Sequence, residues 1–466
     1  MTSGAGSVAD VAARLDRLPA SRTVWGLIAL ISLGGCFEYY ELFMTAYVSP
    51  GLIAAGLFHG AEKGLFGLTD QAAFAAATFA GLFIGTIVFS QLADRLGRRA
   101  IFTASLLWYT VATVVMACQS TAIGVDIWRL IAGIGIGVEL VTIDAYVVEL
   151  APPGARGKAI ALNQFVQFLA VPFLAFVSWA LIPHAPLGIA GWRWVMLLGA
   201  AAAVAVWVIR ARLPESPRWL AAHGRAEEAD RVVREIEAAV ARETGRPLPP
   251  PDLRDAAAEG ALGQGGFGEL FRRPLLGVTV MLCVFNAAQT IGFYGFGNWL
   301  PSLLGAQGAS ITKSLAWSFV IALAYPVGPL LFSGIADRIE RKWQIVAAAI
   351  GTASFGLLFS RQSEAWALIG LGVAITLSNN LLSYAYHAYQ AELFPTRIRA
   401  RAVGFVYSWS RLSTVFTSFL IAFFLQRFGT GGVFAFIAAA MVVVVVVIGL
   451  FGPRTGRVGL ETAARG

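Results

Sequence analysis

The sequence has few charged residues, few cysteines and few histidines, and each shortage excludes a class of protein. Only 13% of its 466 residues are charged, about half the share in ordinary soluble proteins, which excludes a soluble enzyme and a disordered chain. The three cysteines lie in apolar runs, and neither they nor the four histidines have the spacing of a disulfide framework or a metal site. No metal and no cofactor are therefore expected. Because 57% of the residues are hydrophobic, the composition indicates a membrane protein with many spans.

The apolar stretches form two groups of six. The first group lies at about 23–50, 71–92, 100–119, 123–150, 157–182 and 188–212, and the second at about 274–304, 311–336, 343–361, 364–394, 400–427 and 430–452. Between them, residues 213–272 hold 19 charged residues and are too polar to lie in a membrane; the stretch 225–242 is predicted to form an amphipathic helix. The chain is thus predicted to be all-α, with twelve transmembrane helices. The predicted domains are a six-helix bundle at 1–212, a cytoplasmic linker at 213–272, and a second six-helix bundle with a short cytoplasmic tail at 273–466.

Lysine and arginine are unevenly distributed between the loops. They fall mainly at both termini and in the even-numbered loops, for example at Arg95, Arg156, Arg338 and Arg399. By the positive-inside rule, both termini are predicted to be cytoplasmic. The first 22 residues are too polar for a signal-peptide core, so the first span is expected to stay in the mature protein. The net charge of +8 follows from this topology, and nucleic acid is not an expected partner. The expectation is a multi-pass monomer in the cell (inner) membrane.

Two short motifs recur with the same offset of 243 residues. SQLADRLGRR at 90–99 matches SGIADRIERK at 333–342, and ELAPPGAR at 149–156 matches ELFPTRIR at 392–399. Two separate motifs that share one offset indicate that a six-helix unit has been duplicated. Parallel repeats of this kind are typical of transporters whose binding site lies between the two halves.

These motifs resemble those of the major facilitator superfamily. The loop at 90–99 is similar to the signature loop between spans 2 and 3, with Ser90 in place of the usual leading glycine. PESPRWL at 214–220 resembles the sugar-porter branch, as does Arg129 followed by three glycines. The resemblance implies alternating access, in which ion pairs at helix ends hold one access state; the alternative is that the arginines only fix topology. The gating residues that it indicates are Asp94, Arg98, Arg129, Glu149, Arg156, Asp337, Arg341, Glu392 and Arg399.

Four carboxylates at membrane depth are candidates for proton coupling, because a charge there is costly unless it has a function or a partner. Glu38 and Glu41 are three residues apart on one helix face, and two close buried carboxyls can hold a proton near neutral pH. The pair resembles the D-x-x-D of niacin transporters and aromatic acid:proton symporters, with Glu for Asp. The alternative is a structural pair neutralised by Arg129. Glu139 resembles the G-E-L of the niacin branch or is a buried structural carboxyl, and Asp144 is a second proton site or a packing group.

Arg411 lies in the middle of the eleventh span and predicts the substrate class. Its guanidinium stays protonated and needs an anion, and its planar fork matches a carboxylate. Aromatic acid symporters, which the chain resembles more distantly, carry an arginine in the same helix. The alternative is a salt bridge to a glutamate of the N-terminal half. His387 in the tenth span is either a packed or gating group or a functional site.

Aromatic rings and amides are expected to line the rest of the site. NAAQTIGFYGFGNWLP at 286–301 resembles the seventh span of sugar porters and of niacin transporters. A pocket of flat rings, amides and one arginine suits a flat organic anion, although such aromatics can also be simple packing. Besides Arg411 and His387, the predicted substrate-binding residues are Tyr39, Tyr40, Gln164, Gln167, Gln289, Tyr294, Asn298, Asn380 and Tyr384.

Together these features predict a secondary active transporter that couples protons to the uptake of a small aromatic carboxylate. Its expected partners are the substrate, protons and the lipid bilayer. The alternatives are a sugar or polyol porter, with Gln164 and Gln289 as ligands, and an exporter of organic ions or drugs. An enzyme is not expected, because the sequence has no hydrolase, protease or phosphate-loop motif.

Overall fold

The structure is a computed structural model, and it describes residues 7–59, 65–152, 155–210, 213–252, 266–334, 339–395 and 398–455. Side chains are described for these residues except 65, 89–96, 98, 102, 138–142, 144–145, 209–210 and 400. Throughout the described ranges the secondary structure is helical, without strands. The prediction of an all-α protein is therefore confirmed.

The described parts of the N-terminal half and the linker contain ten α-helices. They are α1 (Val8–Asp16), α2 (Arg22–Ala54), α3 (Asp70–Leu96), α4 (Arg98–Ala117), α5 (Ala122–Leu150), α6 (Arg156–Phe168), α7 (Ala170–Leu181), α8 (Gly191–Arg210), α9 (Pro217–Ala222) and α10 (Ala226–Thr244). Capping hydroxyls fix several of the starts: Ser21 accepts a hydrogen bond from the amide of Val24, and Thr121 accepts one from Gly124. Helix α10 corresponds to the amphipathic helix expected at 225–242, whereas the short helix α1 was not expected from the sequence.

The C-terminal half contains seven described helices. They are α11 (Leu275–Gly297), α12 (Leu300–Ala306), α13 (Ile311–Ala322), α14 (Ala324–Ser333), α15 (Arg341–Phe359), α16 (Ala365–Glu392) and α17 (Arg399–Val446). Helix α17 reverses direction at Gly429, which has a φ of 63°, a left-handed conformation that glycine adopts without strain. It therefore contributes two crossings.

Ten helical stretches in the described part of the chain are long and apolar enough to cross a membrane. Two of them are built from pairs of helices, α6 with α7 and α13 with α14. The 29-residue helix α5 is a further crossing, and α17 counts twice because of its turn at Gly429. These additions give the twelve predicted crossings, six in each half.

Small residues allow the closest helix crossing in the N-terminal bundle. Gly81 and Gly85 of α3 face Gly133 and Gly137 of α5, where a Cβ atom on any of the four would collide with backbone of the other helix. Thr86 adds a hydrogen bond to the carbonyl of Gly137, at 3.1 Å. Small residues are the usual means of close helix packing in membranes, so these glycines of the predicted motif have a packing role.

Two membrane faces can be distinguished by what lies on them. Helices α1, α9 and α10 pack together beside the start of α2, and Thr455 near the other end of the described chain lies beside Glu340 at the start of α15. We call this side the terminal face. The loops that join α7 to α8 and α12 to α13 lie on the opposite face.

Candidate functional site

Aromatic side chains of both halves meet at the centre of the molecule. The ring of Phe43 on α2 lies 5.2 Å from that of Tyr325 on α14 and 6.3 Å from that of Phe293 on α11. Phe168 on α6 packs between Tyr325, at 5.6 Å, and Tyr39, at 5.0 Å. Tyr39 is half-buried here, so one predicted ligand does lie at the interface between the halves.

Arg411 lies beside this aromatic group, with 2% of its surface exposed. Its Nη1 donates to the hydroxyl of Tyr294 at 2.8 Å, and its Nη2 donates to the hydroxyl of Tyr407 at 3.1 Å. The guanidinium carbon also lies 5.0 Å from the centre of the Tyr407 ring, a cation–π distance. Among the residues that the structure describes, no carboxylate pairs with Arg411. The cation is held by two neutral phenols.

Tyr294 connects Arg411 to the N-terminal half. Its ring packs 4.7 Å from that of Phe79 on α3 and 5.0 Å from that of Phe293. The buried carboxyl of Glu38, only 1% exposed, is close enough to act electrostatically on the Tyr294 hydroxyl. A carboxyl of one half and a guanidinium of the other therefore both lie near this phenol, although they do not form an ion pair.

Glu41 and Arg129 form a separate, paired site inside the N-terminal bundle. Arg129 is fully buried and its Nη1 donates to the carboxylate of Glu41 at 2.7 Å, while its Nη2 donates to the backbone carbonyl of the same residue. The other carboxylate oxygen accepts from Thr113 at 2.9 Å, and the Nε of Arg129 donates to Thr78 at 2.8 Å. Each of the three guanidinium nitrogens of Arg129 thus donates a hydrogen bond within its own bundle, and such bonds are what stabilises a buried ion pair.

The amide side chains divide into packed and available groups. Gln167 donates to Asn163 at 3.2 Å and packs against Gly35 of α2, which has no Cβ to obstruct it. Gln164 is half-buried on the same helix, and Gln289 on α11 is buried. Asn298 is buried at the end of α11, and neither polar atom of its amide has a hydrogen-bond partner in the described structure.

Two predicted ligands have other partners. The hydroxyl of Tyr40 donates to the carbonyl of Val195 on α8 at 2.7 Å, and its ring packs on Gly199. Asn380 on α16 donates to the carbonyl of Tyr325 at 2.9 Å, which has no partner within α14 because Pro329 lacks an N–H. The geometry thus gives Tyr40 and Asn380 helix-packing contacts and does not bring them to Arg411.

His387 and Tyr384 lie on the side of the site formed by α16. The Nδ1 of His387 lies 2.7 Å from the carbonyl of Ser383, and its ring stacks on that of Tyr386 at 4.2 Å. The same ring lies 5.6 Å from that of Tyr407, which places it next to the partner of Arg411. Tyr384 is half-buried. Tyr407 and Phe79 were not predicted; Tyr407 is four residues before Arg411, so helical spacing alone could have indicated it.

Two of the predicted gating residues of the N-terminal half, Glu149 and Arg156, belong to a network on the terminal face. Glu149 accepts a hydrogen bond from the hydroxyl of Ser216, and its backbone carbonyl accepts one from Arg218 at 3.1 Å. Arg218 and Arg156 both reach Asp16 at the end of α1, at 2.7 and 3.2 Å. The PESPRWL segment and α1 therefore hold together the helix ends that carry this motif.

In the C-terminal half, Arg341 at the start of α15 forms an ion pair with Glu392 at the end of α16. Arg399 donates to the backbone carbonyl of Phe394 at 3.2 Å. Asp337, which is also predicted for the gate, belongs to a range that is not described. The side chains of Asp94, Arg98, Glu139 and Asp144 are not described either.

Comparison with known proteins identifies the family. The sequence profile described as "Sugar (and other) transporter" matches residues 27–466. The chain is 31% identical to the putative metabolite transport protein YyaJ of Bacillus subtilis over 446 residues, 96% of each chain. It is 26% identical to the niacin transporter NiaP of Acinetobacter baylyi over 455 residues, 97% of this chain and 99% of that protein.

A solved structure with the same fold is the partially occluded inward open conformation of the xylose transporter XylE from E. coli. It superimposes with a TM-score of 0.76 at 20% identity, covering 94% of this chain and 100% of that one. At this identity the likeness establishes the fold. The described helices, the interface site and the matched profile lead to one conclusion: the chain belongs to the sugar (and other) transporter family of the major facilitator superfamily, and it is a multi-pass membrane transporter rather than an enzyme.

Proposed function

We propose that this transporter moves a small organic carboxylate, whose anionic group binds Arg411. The observation that carries the proposal is the environment of Arg411: a buried guanidinium between the two halves whose described hydrogen-bond partners are two neutral phenols. A buried cation without an anion is strongly unfavourable. A substrate carboxylate would complete the ion pair and would bind in the fork geometry that a guanidinium offers.

The rings around Arg411 favour an aromatic carboxylate. The rings of Phe79 and Phe293 lie 4.7 and 5.0 Å from that of Tyr294 and provide flat apolar surfaces, and offset or edge contacts with a substrate ring are favourable at such distances. The free amide of Asn298 and the buried Gln289 can bind a ring nitrogen or hydroxyl. Tyr39, Gln164, Gln167, Tyr384 and His387 would line the periphery. The niacin transporter named above, a carrier of an aromatic carboxylate, supports this reading.

We further propose that the coupling ion is the proton. A relative solved as a proton:xylose symporter has the same fold, and the described carboxyls of Glu38 and Glu41 are buried groups that can accept a proton. Protonation of Glu41 would weaken its bond to Arg129, and protonation of Glu38 would change the charge beside Tyr294. Glu139 and Asp144 are further candidates. Either change alters contacts between helices that move in alternating access.

The remaining assignments follow from topology. We propose that the terminal face is cytoplasmic, that the domains are 1–212, 213–272 and 273–466, and that one chain suffices for transport. The gate would then consist of the network around Glu149, Arg156 and Asp16 and the pair of Arg341 with Glu392. The same proposal assigns Asp94, Arg98, Asp337 and Arg399 to the gate.

A sugar or polyol porter is the second candidate. The observation in its favour is the amide of Asn298, buried and without a described partner, together with the buried Gln289. Amides bind sugar hydroxyls well, and in this case the guanidinium of Arg411 would donate to hydroxyl oxygens. A sugar does not neutralise the buried charge, which is why the carboxylate is preferred.

The test is uptake into proteoliposomes with an inward proton gradient. The panel consists of labelled nicotinate, benzoate, a hydroxybenzoate, a dicarboxylate, glucose and an organic cation. Wild type is compared with Arg411→Lys, which keeps the charge but loses the fork, with Arg411→Ala, and with Lys313→Ala, an exposed cation on the opposite face, as control. Carboxylate uptake that needs the gradient, falls in Arg411→Lys and disappears in Arg411→Ala supports the proposal. Sugar uptake that persists in Arg411→Ala would reject it.

A further inference from the structure

A second concave site lies on the lipid-facing surface of the C-terminal bundle, away from the central site. It is a groove of about 740 Å³ between α11 and both limbs of α17, within the volume range of small-molecule sites. Leu276, Val280, Val284, Ala287 and Ile291 line it from α11, at the spacing of one helix face. They span about 22 Å along the helix axis, so the groove is long, narrow and apolar.

The lining of the groove combines side chains of different size. Small side chains, Ala287, Ser413 and Ala439, line it together with the large rings of Trp409 and Phe436. Such a mixture favours a slot over a flat surface. A slot of this length with an apolar lining fits an extended acyl chain better than a globular ligand.

The end of the groove at the terminal face is aromatic and then cationic. Phe267, Phe271 and Phe405 form a ring cluster with centroid distances of 5.5 to 5.7 Å. Arg272 and Arg273 follow directly in sequence and are exposed, and in the described structure neither guanidinium pairs with a carboxylate. The exposed Arg401 begins the turn of α17 that precedes Phe405.

The acidic residue closest in sequence, Glu269, has contacts of its own. Glu269 accepts a hydrogen bond from the backbone amide of Gly266 at 3.1 Å and so caps the turn at 267–271. The mouth of the groove therefore presents an aromatic collar with two unneutralised cations. That order of apolar slot, aromatic ring and cation matches the order of acyl chain, glycerol region and phosphate in a phospholipid.

We propose that this groove binds one anionic phospholipid of the leaflet at the terminal face, with an acyl chain in the slot and its phosphate at Arg272 and Arg273. The site is separate from the substrate site but shares a wall with it. Ser413 donates to the carbonyl of Ala287 at 2.7 Å, and the hydroxyls of Thr290 and Thr414 are 2.8 Å apart. These contacts join α11, which carries Tyr294, to α17, which carries Arg411. A bound chain therefore supports the helix pair that forms the substrate site.

The experiment is native mass spectrometry of the purified full chain with equal amounts of phosphatidylglycerol and phosphatidylcholine that have identical acyl chains. Wild type is expected to retain phosphatidylglycerol several-fold better. The double variant Arg272→Ala/Arg273→Ala should retain the two lipids equally. Its control, Arg361→Ala, removes an exposed arginine elsewhere and should keep the wild-type preference. The result does not depend on the orientation of the protein in the cell.

The acyl-chain half of the proposal has its own variants. Val284→Trp fills the slot and should reduce retention of both lipids, whereas Leu331→Trp, at a lipid-facing position outside the groove that is 51% exposed, should not. Val280→Phe, one turn away, is the smaller filling change if Val284→Trp does not fold. Equal retention of the two lipids by wild type would overturn the proposal. Retention by both filling variants that equals retention by Leu331→Trp would overturn it as well.

Discussion

Among the described membrane-spanning helices, each half of the molecule has one buried arginine, and the two side chains have different surroundings. Arg129 in the N-terminal bundle is fully buried and paired with Glu41 at 2.7 Å. Arg411 in the C-terminal bundle is 2% exposed and has only the hydroxyls of Tyr294 and Tyr407 as described side-chain partners. The comparison shows that one half contains a complete ion pair, while the other contains a cation whose anion is not part of the described protein. We propose that the Glu41–Arg129 pair serves stability and coupling and that Arg411 serves substrate binding.

The largest effect is expected from removing Arg411. A substrate carboxylate would receive two charge-assisted hydrogen bonds from it, each contributing about 1.5–3 kcal/mol, so Arg411→Ala should reduce carboxylate uptake about 100-fold or more. The melting temperature should stay equal or rise, because a buried charge without a counter-ion is removed. Proteoliposome uptake and thermal unfolding of the same preparation measure both. A large loss of thermal stability would show that Arg411 has a structural partner.

Removal of Arg129, the paired arginine, should instead lower the stability of the protein. Arg129→Met leaves the carboxylate of Glu41 buried without its cation, and Glu41→Gln leaves the cation without its anion; each should destabilise the protein by about 3–5 kcal/mol. The double variant Glu41→Gln/Arg129→Met should lose less than the sum of the two changes. Thermal unfolding in detergent measures this coupling. Strictly additive losses would mean that the pair does not interact.

A smaller effect separates the phenols that hold Arg411 from a phenol that does not. Tyr294→Phe and Tyr407→Phe each remove one hydrogen bond to the guanidinium and should raise KM roughly tenfold, because the guanidinium is then less well oriented. Tyr40→Phe, whose hydroxyl bonds the Val195 carbonyl within the N-terminal bundle, is the matched control and should leave KM unchanged. Equal KM values in all three variants would show that the hydroxyls of Tyr294 and Tyr407 do not contribute to substrate binding.

The smallest effect concerns the terminal face, where charges are outside the membrane. Burial raises the pKa of the Glu237 carboxyl, but hydrogen bonds from Arg14 and Arg17 outweigh it, so the pKa lies below its ordinary value. A carboxyl with a lowered pKa stabilises its contacts above the ordinary value, about 4.3, and this stabilisation is lost as the pH falls through the lowered pKa. Contact of α1 with α10 should therefore weaken below about pH 4.3.

Hydrogen exchange of residues 8–16 at pH 6 and at pH 4 or lower measures that change. Protection should fall with pH in wild type, and in Glu237→Gln it should be low at both values. Protection that is high and independent of pH in both proteins would contradict the role of this contact.

The sequence was sufficient for the fold because its evidence is periodic and repeated. Twelve apolar stretches and two motifs at one offset do not depend on side-chain orientation, and the twelve crossings are confirmed. The partner of an intramembrane charge is harder to predict, because it depends on how each helix is rotated. Glu38 and Glu41 share a helix face, yet Glu41 is bound by Arg129 and Thr113 while Glu38 lies near Tyr294.

The rotation of each helix about its axis also decides which of two adjacent residues faces the site. Tyr39 and Tyr40 point in directions about 100° apart on a helix, and the sequence alone does not say which of the two faces the interface. The structure shows that Tyr39 packs on Phe168 there, whereas Tyr40 donates to Val195 inside its own bundle. Asn380 was predicted to be a ligand because it is a polar group in a span. It donates instead to the carbonyl of Tyr325 on another helix, which is left without its helical partner because residue 329 is a proline. Helix α1 carries Asp16, which binds Arg156 and Arg218, and its short polar sequence gave no sign of this contact.

The role of Arg411 in binding the charge of the substrate is best tested by affinity measurements on the purified protein. The ligands are a carboxylate and its neutral amide, such as nicotinate against nicotinamide and benzoate against benzamide. The account predicts that wild type binds the carboxylate about 100-fold more tightly, since roughly 3 kcal/mol of charge-assisted hydrogen bonding is present only for the anion. It also predicts that Arg411→Ala binds both ligands equally weakly. A preference for the carboxylate that survives in Arg411→Ala, or tight binding of the amide by wild type, would contradict the assignment of Arg411 as the residue that binds the substrate's charge.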